Sequence, residues 1–284
     1  MDFTDLTTTV WKTLLVNRIW MTWNLFLALL PLAISLWLFD RPRSTLFRWG
    51  VVGLTAAMFV GTFLKYPSYL VEMILGVLQN VRTSYLAIAV VLTLVLMGLE
   101  IWVVGKQKSR SPLWWLGCVV FIAFLPNAPY VLTDIIHLIE DIRRNYSAWT
   151  ITLVLVPQYL LFAGIGFQAY VLSLINLGEY MKGQGLGKFV LATELFVHGL
   201  CAIGIYLGRF WRFNSWDLLT KLDTVLQRMA NELFAVRPLM TLFVTFGVIA
   251  SLYYLLKWVT ESIIIARQVK QSSTFEMAAS SPPE

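Results

Sequence analysis

The sequence predicts an all-α protein: a polytopic bundle of about seven transmembrane helices, with one amphipathic surface helix between spans six and seven. Three observations carry that prediction. Hydrophobic residues make up 58% of the 284 residues and charged ones only 13%, with a mean hydropathy of +0.71, which is too apolar for a water-soluble fold of one or two domains. Uninterrupted apolar runs recur along the chain, each long enough at about 1.5 Å per residue to cross a hydrocarbon layer of about 30 Å. These runs do not alternate apolar with polar over about ten residues, as the strands of a membrane barrel do. The same composition excludes a disordered chain, and two cysteines cannot build a disulfide scaffold.

The spans are expected at residues 19–39, 46–64, 84–104, 112–132, 149–176, 188–208 and 238–259, in one bundle over residues 1–259, followed by a helix end and disordered tail over 260–284. Span one carries no charge from Ile19 to Phe39, and no small-residue cleavage site follows it, so it reads as a retained anchor. Ser111 then Pro112 is an N-cap followed by a first-turn proline, and Pro238 opens span seven in the same way. Trp20, Trp23, Trp37, Trp49, Trp102, Trp114, Trp115, Trp149 and Trp258 fall near span ends, where an amphipathic ring prefers the headgroup level. The 22 Lys and Arg residues divide evenly between the two sides. The short connections hold Arg41, Arg43 and Arg48, then Lys106, Lys108 and Arg110, which leans the orientation to N-terminus outside. The net charge of +6 is thereby explained as topology, without a nucleic-acid partner.

Between Asn214 and Phe234, Leu218, Leu219, Leu222, Val225, Leu226, Met229 and Leu233 recur at helical spacing opposite charged residues, which gives the surface helix. Residues 67–81 form a second candidate of that kind. Gly178, Gly183, Gly185 and Gly187 crowd the fifth connection, without the preceding strand or the Lys-Ser/Thr ending of a phosphate loop, so a flexible linker is expected there. Gly204 and Gly208 are a small-xxx-small pair for close helix packing.

Polar groups collect at two places. Span four ends in Pro126, Asn127, Pro129 and Tyr130, then Thr133, Asp134 and His137. Each proline removes an N–H, so carbonyls near Ile122 to Leu125 need new partners at membrane depth, either Asn127, Tyr130 and Thr133 or a polar cavity. Asp134, His137 and Asp141 share one helical face if the helix resumes. Spans four and six run in the same direction, so this segment is expected to meet Arg209, Arg212, Asn214 and Asp217 in one polar junction at one membrane surface. There the arginines either close an ion-pair network or hold an anionic headgroup or substrate. Second, Glu194 and His198 stand one turn apart inside span six, as an intramembrane polar pair that serves itself or marks a functional site.

The runs Phe124-Leu125-Pro126-Asn127-Ala128-Pro129-Tyr130 with Thr133, Asp134 and His137, and Gly204-Ile205-Tyr206-Leu207-Gly208-Arg209-Phe210 with Arg212, Asn214, Ser215, Trp216 and Asp217, resemble two signature stretches of bacterial membrane proteins called domain of unknown function 1361. The resemblance extends over about 112 to 259, with spans two and three as an addition. It implies a multi-span bacterial membrane protein, often cyanobacterial, in the plasma or thylakoid membrane, and it transfers no catalytic role.

Three functions remain open. A membrane scaffold or assembly partner leads, with the lipid bilayer and other membrane proteins as its partners. The alternatives are a proton-coupled or small-anion transporter, and a membrane enzyme. The enzyme would use Asp134, His137, Glu194 and His198 for zinc, iron or haem, or Arg209 and Arg212 for a lipid phosphate. No cofactor is assigned, and no common catalytic template occurs. Cys118 and Cys201 lie within spans and behave as small apolar side chains.

Overall fold

The computed structural model describes residues 3–39, 45–63, 111–144, 146–210, 227 and 236–280. These are almost wholly helical, with no strand among the described residues. Five described helices are long and apolar enough to cross a membrane, namely Arg18–Leu38, Pro112–Ile142, Ala148–Gly183, Gly187–Arg209 and Val236–Ala266, and a shorter apolar helix covers Thr45–Gly61. Expected spans one, two, four, five, six and seven thus fall on described helices. Span three, the 67–81 candidate and the 214–234 amphipathic helix lie outside the described residues.

A first helix not expected from hydropathy, α1 (Phe3–Val16), precedes the first spanning helix, α2 (Arg18–Leu38), and α3 (Thr45–Phe63) packs along α2. The fourth span is an α-helix, α4 (Pro112–Phe124), then α5 (Asn127–Tyr130), a 3-10 stretch at Val131–Asp134 and α6 (Ile135–Ile142). Ser111 caps it as expected, its hydroxyl accepting from the Trp114 N–H at 3.2 Å ahead of Pro112.

The two prolines tighten this helix rather than split it. Pro126 keeps helical φ and ψ, and the Ala128 N–H reaches back only to the Leu125 carbonyl at 3.2 Å, the shorter reach of a 3-10 turn. The Asn127 side-chain amide donates to the Phe124 carbonyl at 2.9 Å, and the Thr133 hydroxyl to the Tyr130 carbonyl at 2.8 Å. The Leu125 carbonyl, which Pro129 cannot serve, thus takes the Ala128 N–H, and the Asn127 side chain serves the Phe124 carbonyl that Ala128 gives up.

The fifth span enters through a π-helical stretch at Ile151–Leu155, where Pro157 lacks the N–H that Leu153 would receive, and continues as α7 (Val156–Gly183). The glycine-rich connection is a hydrogen-bonded turn, not a loose linker. Leu186 N–H bonds the Met181 carbonyl at 2.9 Å, and Gly185 holds φ +77, the left-handed conformation that favours glycine. It delivers the chain to α8 (Val190–Phe210). The last helix, α9 (Val236–Ser280), continues well past the expected end of span seven, into the segment expected as a tail.

α2 and α7 form the central pair, and α5 touches α2, α7 and α8 together. Between them lies the core, including Phe121, Leu125, Val131, Leu155, Phe167 and Tyr170. Two glycines allow this closeness. A Cβ on Gly204 of α8 would stand 2.8 Å from Cβ of Pro126, and one on Gly166 of α7 would stand 2.8 Å from Cγ2 of Val131. α9 is peripheral: within Val236–Ala266 only Ile249 and Tyr253 are buried, and they face α8 and α7.

Gly204→Ala and Gly166→Ala are therefore expected to lower stability by about 1–3 kcal/mol each through overpacking. Gly199→Ala, with nothing within 4 Å of the new methyl, is expected to be neutral or stabilising. Thermal unfolding of the three purified variants checks the contrast.

Candidate functional site

Among the described residues the buried charged side chains are Asp134, Asp141, Glu194 and, when protonated, His198. Hydrocarbon offers no water, so each carboxylate needs a partner within the protein.

Two of the three are held by α2. Asn24 Nδ2 donates to Asp134 Oδ2 at 2.9 Å, and Asn17 Nδ2 donates to Asp141 Oδ2 at 2.5 Å. The asparagines are seven residues apart, as are the aspartates, and the pairing runs antiparallel. Asn17 occupies the N-cap position of α2 but makes no cap bond, because its amide goes to Asp141 and its carbonyl oxygen accepts from Trp20 Nε1 at 3.0 Å.

Around Asp134 the expected junction assembles in part. Arg209, at the end of α8, donates through Nη2 to the Thr133 carbonyl at 3.0 Å and lies 3.7 Å through Nη1 from Asp134 Oδ1. Asp134 is 1% exposed. Asp141 is completed by Tyr159, whose hydroxyl donates at 3.0 Å, and by Arg144 at 3.1 Å. Tyr130 packs against the core. His137 shares the helix but not the burial. Its Nδ1 meets Glu140 Oε2 at 3.1 Å, its ring centroid is 4.8 Å from that of Trp20, and its side chain is 39% exposed. Arg212, Asn214 and Asp217 lie outside the described residues.

Glu194 and His198 do not serve one another. Glu194 Oε1 accepts from Lys257 Nζ at 2.6 Å and from the Tyr253 hydroxyl at 2.7 Å, both on α9. His198 Nδ1 is instead 2.6 Å from the Tyr170 hydroxyl of α7. Although one turn apart on α8, the two side chains turn to different neighbours. The Tyr253 ring bridges them, 4.7 Å from His198 by centroids while its hydroxyl holds Glu194. His198 Nε2 is buried without a hydrogen-bond partner. Among the described residues, no group of three or more His, Cys, Asp or Glu side chains comes together to hold a metal ion.

Asn17, Asn24, Tyr159, Tyr170, Tyr253 and Lys257 were not expected as partners. A seven-residue spacing of two asparagines, one at the start of the first span and one within it, matched by that of Asp134 and Asp141, is the signal that could have found the first two.

This polar framework falls largely within a region that matches a known family model, described as Protein of unknown function (DUF1361), over residues 85–251. The chain belongs to the DUF1361 family. The DUF1361 region begins inside expected span three, so that span belongs to the family core rather than to an addition before it. It includes Asp134, Asp141, Glu194, His198 and Arg209, whereas Asn17 and Asn24 precede it and Lys257 follows it. No curated protein and no solved structure matches the chain.

Lys257→Met leaves Glu194 buried without its cation and is expected to lower stability by about 3–5 kcal/mol. Adding Glu194→Gln is expected to recover most of that loss. Tyr170→Phe strands His198 Nδ1 at a cost of about 1–3 kcal/mol. Unfolding of the purified variants in one detergent checks all three.

Proposed function

We propose that this DUF1361 protein is a membrane scaffold or assembly partner whose intramembrane polar groups are structural. One observation carries the reading: Asp134, Asp141 and Glu194 each hold a cation and a hydroxyl or amide from the same chain. A carboxylate so paired already has its charge answered inside the bundle, so neither a travelling ion nor a reacting group is needed to account for it. The peripheral setting of α9 fits this reading, since that helix keeps most of its surface for lipid or for other membrane proteins. The polar junction of Asp134, Thr133 and Arg209 then locks span four to span six. The expected docking helix at 214–234 would sit between α8 and α9 in the chain.

A proton-coupled carrier is the second reading, favoured by the unpartnered Nε2 of His198, which stands one turn from Glu194 on α8. The metal and haem readings have no comparable support, because the donors expected for them divide between separate clusters.

Cross-linking in native membranes followed by sizing separates the two. The scaffold reading predicts an assembly well above the 32.4 kDa of one chain, and reconstituted vesicles that hold a pH gradient as well as protein-free ones. A monomer whose vesicles lose the gradient, with the loss abolished by Glu194→Gln, would overturn it in favour of the carrier.

A further inference from the structure

We propose that a cleft between α4, α7 and α8 holds one acyl chain of an anionic membrane phospholipid, with its headgroup over the end where α7 turns into α8. This goes beyond the scaffold reading and does not depend on it. The cleft has a volume of about 250 Å³ and is lined by Phe39, Phe121, Leu125, Leu177, Thr193 and Cys201 among others. Ile122 and Phe196 also line it and are 51% and 66% exposed, so it opens sideways along the surface that faces the bilayer. An apolar cavity of about 150 Å³ takes a benzene molecule, so by proportion this one takes roughly ten carbons of a chain.

Bilayer lipid is as apolar as these walls, so transfer into the cleft brings no hydrophobic gain. Two other effects can hold a particular chain there. A straight hydrocarbon fills a void whose lining otherwise lacks contact on one side. The second effect is charge. At one end of the cleft stand Trp114 and Tyr180, with ring centroids 5.7 Å apart, as interfacial aromatics do. Just beyond, on the turn between α7 and α8, Lys182 and Lys188 are exposed. Lys182 is paired with Glu179 at 2.9 Å, and Lys188 lies 5.0 Å above the Phe189 ring. On the same side, Arg48 near the start of α3 donates to the Leu36 carbonyl at the end of α2 at 3.2 Å. The side of the membrane at which the cleft ends is therefore basic, and a headgroup there is selected for negative charge.

The test uses the full chain, stripped of lipid in detergent and re-exposed to equal amounts of phosphatidylglycerol and phosphatidylcholine, with retained lipid counted by native mass spectrometry. One phosphatidylglycerol per chain is expected, enriched roughly five-fold or more over phosphatidylcholine. Thr193→Trp, which fills the cleft, should abolish retention. Lys182→Gln with Lys188→Gln should lower the enrichment while a lipid is still held, and Leu160→Trp, on another exposed face of α7, should change nothing. Should Thr193→Trp not fold, wild-type protein decides: phosphatidylglycerol with a diazirine midway along one chain is expected to label residues 118–126 and 193–201. Equal retention of both lipids, retention that survives Thr193→Trp in a folded protein, or labelling that avoids those residues would overturn the proposal. So would a dimer that binds no lipid and is dissociated by Thr193→Trp, since a second copy would then fill the cleft.

Discussion

A carboxylate in hydrocarbon must be answered by the protein itself, and the rest of this bundle is arranged around that requirement. Asp134 and Asp141 are buried against the first spanning helix, where Asn24 and Asn17 wait at the same seven-residue spacing. Apolar contacts between membrane helices tolerate sliding, because lipid replaces a lost leucine contact almost in kind. Two amide–carboxylate bonds a fixed distance apart do not, since a one-turn slip would break both at once and leave the buried amides and carboxylates short of partners. Register between the first and fourth spans is thus a polar property of an apolar interface.

The same logic repeats at the other end of the bundle with different elements. Glu194 ties α8 to α9 through Lys257 and Tyr253, and His198 ties α8 to α7 through Tyr170. α7 serves both layers, giving Tyr159 to Asp141 and Tyr170 to His198, with Asn176 bonded to Ser35 of α2 at 2.9 Å. Close approach at Gly166 against Val131 and Gly204 against Pro126 brings these groups within bonding distance. The proline-tightened α5 is accordingly the meeting point of three helices, and Arg209 reaches the Thr133 carbonyl just beyond it. α9, fastened through Ile249, Tyr253, Lys257 and Thr260, is the least buried of the five described helices long enough to span, and leaves most of its surface for lipid or partners.

Much of this architecture was legible in the sequence, because span length and hydropathy are direct readings of membrane thickness. Ser111 and Pro112 announced α4 correctly, and parallel spans four and six put Arg209 beside Thr133 and Asp134. The partners were harder. A single asparagine carries no sign of what it meets, so Asn17 and Asn24 could be matched to Asp141 and Asp134 only through their shared seven-residue spacing. Glu194 and His198 invited pairing by their one-turn spacing, yet packing turned them toward α9 and α7. Lys257 stood near the end of a span and read as topology. α1 escaped notice because its polar threonines interrupt the apolar pattern, and the prolines of span four predicted a break where tightened turns and the Asn127 side chain kept the helix continuous.

The most direct measurement is a double-mutant cycle on Asn24→Ala and Asp134→Ala, with unfolding free energies taken for wild type, both single variants and the double variant. A polar register clamp predicts strong coupling: each single change costs stability, and the double variant loses less than the sum of the two by about 0.5–3 kcal/mol. Losses that add to within about 0.3–0.5 kcal/mol would show that the two side chains do not depend on one another, and would contradict the account.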